Sequence, residues 1–78
     1  MSHTPHELIE EFPDMVDKIR DLKQSDTHFM KLSEDYHAIN HNIYLAESDI
    51  EPTDDFNLEN MRKTRVLLKD QIYSILTT

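Results

Sequence analysis

Two stretches of this chain carry seam residues at alternating spacings of three and four. In one they are Phe29, Leu32, Tyr36, Ile39, Ile43 and Ala46; in the other Leu58, Met61, Arg65, Leu68, Ile72 and Ile75. That heptad-like period lines up one stripe of an α-helix, whereas a strand would need a period of two. Helices are predicted over about Thr27 to Ser48 and Asp55 to Leu76. Between them Asp49-Ile50-Glu51-Pro52-Thr53-Asp54 favours a turn, because proline lacks a backbone donor and Asx or Thr side chains bond their own backbone; Thr53 or Asp54 can cap the helix that follows. Roughly 22 residues at 1.5 Å of rise make each arm about 33 Å long. Equal arms joined by a short turn predict an all-α fold, a long antiparallel coiled-coil-like hairpin.

A weaker stripe precedes the hairpin: Leu8, Phe12, Met15, Ile19 and Leu22, widened by Ile9 and Val16. Thr4-Pro5-His6-Glu7 has the form of a capping box with proline at the first helical position. Pro13 removes a donor and disfavours helical geometry at Phe12. The expectation is a short turn ending near Glu11, a restart at Pro13 or Asp14, and a short helix from Asp14 to Lys23. Gln24-Ser25-Asp26-Thr27 breaks it, with Asp26 or Ser25 as the next N-cap. Residues 1–11 are expected to form a partly disordered N-terminal extension and residues 12–78 a single helical-hairpin domain.

Charge supports an antiparallel path. Residues 1–60 hold 4 basic and 15 acidic groups, whereas residues 61–78 hold 4 basic and 1 acidic. The last helix is therefore attracted back over acidic chain. A turn centred near Glu51 sets Arg65 opposite His37 and Lys69 opposite Ser33, and predicts cross-helix ion pairs from these cations to Glu34 and Asp35.

Composition excludes several functions. The chain has 78 residues and neither glycine nor cysteine. Without glycine there is no phosphate-cradling loop, dinucleotide fingerprint or nucleophile elbow. Without cysteine there is neither a disulfide nor a zinc–thiolate site, so a chain this short looks to helix packing or self-association for stability. Neither a spanning helix nor a signal peptide is expected, which makes the cytoplasm the default location. The net charge of −8 argues against nucleic acid as the main partner, and no membrane partner is expected.

Few residues invite chemistry. His37 and His41 have the i, i+4 spacing of helical zinc sites, but no general-base glutamate follows the first, and a solvated pair is the better account. Glu47, Asp49, Glu51, Asp54 and Asp55 crowd the turn without the glycine of a calcium loop. Arg62, Lys63, Arg65 and Lys69 form a basic strip whose acids are available within the chain. No catalytic, cofactor or metal residue is assigned, and a hairpin offers little concavity for an active site. The apolar surplus is more informative: Met30 and Tyr44 flank one seam, and Val66, Tyr73 and Leu76 the other. One hairpin cannot bury both stripes, so either the N-terminal helix covers them or a second subunit does. Self-association is the favoured alternative, with these five as interface candidates.

Phe12-Pro13-Asp14, Ile19, Leu22-Lys23, Phe29-Met30-x-Leu32, Ile39, His41, Ile43, Met61-Arg62-Lys63 and Leu68-Lys69-Asp70-Gln71-Ile72 together resemble the YdcH-like family of small bacterial proteins over about residues 12 to 76. The resemblance implies a bacterial cytoplasmic helical hairpin with no recognised catalytic or cofactor residues. The chain departs from that family in having Tyr36 where a seam histidine is common, and proline where the turn often has glycine. The expectation is thus a non-enzymatic protein acting through self-association and protein–protein contact, without cofactors. The alternative is a nucleic-acid-associated regulator using Arg62 to Lys69.

Overall fold

A computed structural model of the chain describes residues 5–48, 50–51 and 53–78. The elements in order are α1 (Leu8–Glu11), a 3₁₀ turn (Pro13–Met15), α2 (Val16–Ser25), α3 (Thr27–Glu47) and α4 (Asp55–Leu76). There is no strand among the described residues. The long hairpin is α3 packed antiparallel on α4, and α2 packs against α3. Thr4 of the expected capping box, and Asp49 and Pro52 of the expected turn, lie outside the described residues.

Local chemistry explains the boundaries. Phe12, ahead of Pro13, leaves the helical region at φ −129° and ψ 63°, as the clash with the following proline ring requires. Pro13 then opens the 3₁₀ turn, where its missing donor costs nothing. Asp26 alone separates α2 from α3: its backbone N–H closes α2 on the Leu22 carbonyl at 2.8 Å, and its carboxylate accepts from the Phe29 N–H at 3.1 Å. Asp54 caps α4 in the same way, accepting from the Asn57 N–H at 2.6 Å.

The start differs from expectation. α1 begins at Leu8, with Glu7 as its N-cap, not at Pro5. His6 sits in the left-handed region at φ 66°, a conformation that costs a non-glycine residue about 1 kcal/mol or more. Two hydrogen bonds hold it there. Its N–H donates to the Glu10 carboxylate at 3.0 Å, and its carbonyl accepts from the Tyr36 hydroxyl.

The main core lies at the open end of the hairpin. Leu8, Ile19, Phe29, Leu32, Tyr36, Ile72 and Leu76 are buried together, with Phe12, Met15, Leu22, Leu68 and Ile75 packed around them. The N-terminal segment thus folds onto its own hairpin. Its presence moves the buried stripe of α3: Ser33 and Asn40 are buried, while the expected seam residue Ile39 is only half-buried. On α4, Leu58, Met61, Leu68 and Ile75 are also half-buried. A third packing partner turns each helix away from a purely two-helix seam.

Candidate functional site

Polar groups pin residues 5–11 across the hairpin. Asn40 donates through its amide nitrogen to the Pro5 carbonyl at 2.7 Å and accepts from the Arg65 guanidinium at 2.9 Å. It therefore joins the N-terminal segment, α3 and α4 at one point. Glu11 accepts from Lys69 at 2.8 Å, and Lys69 also lies 5.7 Å from the centre of the Phe12 ring. The Lys69 hydrogen bond holds the Glu11 carboxyl below its ordinary value, against the opposing effect of burial and with help from the charges of Lys69 and His6. Burial pushes the Tyr36 hydroxyl up to about 12; the negative charge of Glu11 adds to this and the positive charge of Arg65 opposes it. Lys18 of α2 closes the far end by donating to the Leu76 carbonyl, a cation at a helix C-terminus.

The expected ion pairs to Glu34 and Asp35 do not form with Arg65 or Lys69. Arg65 reaches Asn40, about one helical turn nearer the loop than His37. Lys69 is taken by Glu11, and Asp35 is taken within α3 by Lys31 at 3.0 Å. The N-terminal segment supplied a partner that a bare hairpin would lack. Arg62 does make a cross-helix pair, with Glu47 at 2.6 Å.

An open groove of about 680 Å³ runs beside α1, lined by Glu7, Leu8, Ile9, Lys23, Met30, Ser33, Glu34 and His37. Leu8, Ile9 and Met30 supply its apolar lining, and Glu7 and Glu34 share the polar part with Lys23, Ser33 and His37. His37 is exposed, as expected, but is paired with Glu7 at 3.0 Å; His41 is exposed and stacks against Tyr44 at 6.5 Å. Among the described residues no three histidine or acidic side chains are placed to hold a metal ion.

The five interface candidates are not gathered on one surface. Met30 lines the groove, and half-buried Tyr44 packs on His41. Tyr73 stacks on Phe12 at 5.8 Å, and Val66 faces outward. Leu76 is corrected: at 2% exposure it belongs to the core, because α1 and α2 close over the end of α4. Sequence reasoning missed Phe56 and Leu67, which are 77% and 62% exposed on the side of α4 away from α3. Together with Val66 at 56% and Tyr73 at 51%, they put four exposed apolar side chains on the outer face of α4, beside the charged Glu59, Lys63 and Asp70. Their spacing, read around a helix of 3.6 residues per turn, was the available signal. Asn40 was missed as well, since it stands one turn after Tyr36 and counts as polar in any hydrophobic pattern.

The family model described as "Protein of unknown function (DUF465)" matches residues 29–76, which is nearly all of α3, the loop and α4. The similarity to the YdcH-like family is consistent with it. No curated protein and no solved structure matches the chain.

Proposed function

The chain belongs to this family of proteins of unknown function, DUF465, and from that premise we propose that it is a non-enzymatic interaction protein that works by self-association and protein–protein contact. The observation that carries this is the outer face of α4. A surface helix in a small domain normally turns charged residues outward, yet this one exposes Phe56, Val66, Leu67 and Tyr73. A face of that kind gains free energy when another apolar surface covers it. The well-satisfied polar interior points the same way: among the described residues no buried side-chain nitrogen or oxygen lacks a hydrogen-bond partner. The buried polar groups serve to hold the fold together.

No helix of the described chain is long and apolar enough to cross a membrane. The bacterial cytoplasmic setting is carried by the family resemblance. Nucleic acid is the weaker reading, because two cations of the basic strip, Arg62 and Lys69, are already committed to Glu47 and Glu11. Sedimentation equilibrium across a wide concentration range, at low and at high salt, tests the proposal. An oligomer that persists in high salt is expected, since apolar association is not screened. A monomer at every concentration would overturn it.

A further inference from the structure

Resting on the self-association proposed above, we infer that two copies of this chain pair through the outer face of α4, antiparallel, about a two-fold axis that passes between Val66 and Leu67. At 3.6 residues per turn, Phe56, Lys63, Val66, Leu67, Asp70 and Tyr73 fall within an arc of about 120°, and all six are exposed.

The charges on this face are self-complementary about that axis. Antiparallel pairing centred between Val66 and Leu67 sets Lys63 of each copy opposite Asp70 of the other, so one axis makes two oppositely charged pairs. Within its own chain neither Lys63 nor Asp70 pairs with any described residue. Asp70 is also the one acidic group among residues 61–78, and it stands where this pairing needs an anion. Shifting the register by a turn, or running the helices parallel, loses that match; in a parallel pair Lys63 would meet Lys63.

Geometry agrees with the charge. The axis lies within about one residue of the middle of α4, which spans Asp55–Leu76, so the two helices overlap along nearly their whole length of about 33 Å. Val66 meets Val66 and Leu67 meets Leu67 across the axis, which covers the most central apolar side chains of the exposed stripe. This is an isologous contact, closed at two copies.

Charge reversal tests the register without touching the core. By sedimentation equilibrium at low salt, Lys63→Glu and Asp70→Lys should each weaken the dimer by about tenfold or more, since each replaces two attractions by two repulsions. The double variant should restore wild-type affinity. Since the chain has no cysteine, Leu67→Cys gives an independent readout. It should oxidise to a disulfide-linked dimer, whereas Lys63→Cys should not, because the two copies of position 63 lie about 10 Å apart along the helix direction. A wild-type dimer indifferent to the single reversals, or cross-linked as readily at 63 as at 67, would overturn this pairing while leaving self-association standing. A wild-type monomer at all concentrations would overturn both.

Discussion

Asn40→Ala is the substitution that most directly tests how the segments are held together. Asn40 is 1% exposed and makes two hydrogen bonds that tie residue 5 to α3 and α3 to α4. Loss of the neutral bond to the Pro5 carbonyl costs about 0.5–1.5 kcal/mol, and loss of the charged one from Arg65 about 1.5–3 kcal/mol. Pro5 is exposed and Arg65 half-buried, so water takes back part of both bonds and the sum falls near the lower end, about 2–3 kcal/mol. A domain of this size has a total stability of about 4–12 kcal/mol. The variant should therefore melt about 8–24 °C lower, at 4–8 °C per kcal/mol. Far-UV circular dichroism with heat and with urea gives the value. A double-mutant cycle with Arg65→Met isolates the charged bond and should return a coupling of about 1 kcal/mol or more. A loss under about 0.5 kcal/mol, or a coupling of zero, would refute the assignment of Asn40 as the joint.

Other outcomes follow from the same contacts. Tyr36→Phe should cost about 1 kcal/mol near neutral pH, by loss of its bond to the His6 carbonyl. Because folding raises the Tyr36 hydroxyl from 10.0 to about 12, the fold favours its protonated form. That contribution is intact below pH 10 and is lost as the pH climbs towards 12, by about 3 kcal/mol at most; since this exceeds the advantage at neutral pH, urea midpoints of wild type and Tyr36→Phe should meet above pH 10 and then cross. The Glu11 carboxyl is lowered instead, so its contribution is present above about pH 4.5 and disappears as the pH falls through the folded value; Lys69→Met should remove this acid-sensitive component, read as a flatter urea midpoint against pH. Leu76→Ala should cost about 2–5 kcal/mol as a core truncation, whereas Val66→Ala should leave the melting temperature of the monomer within a few degrees. Asp54→Ala should cost about 1 kcal/mol of α4 stability, again by urea melt, through loss of its cap.

Helix identity was legible because it depends on neighbours along the chain. Asp55–Leu76 is bounded as expected, and α3 ends at Glu47, one residue before the expected Ser48. Asp26 and Asp54 cap as one of two named alternatives each time. Pro13 splits the N-terminal stretch where its ring and missing donor require it. Each of these effects acts within about one turn, so residue order suffices.

Amino-acid order therefore decided which segments are helical, where they stop and that two of them form a hairpin. It left open which flank the N-terminal segment covers, because apolar burial has no direction and rewards any surface that fits. That choice was made by packing in three dimensions. Once Leu8 and Ile19 settled at the open end, Leu76 became core, Asn40 became a buried joint, Lys69 turned from α3 to Glu11, and the remaining apolar stripe was left on the outside of α4.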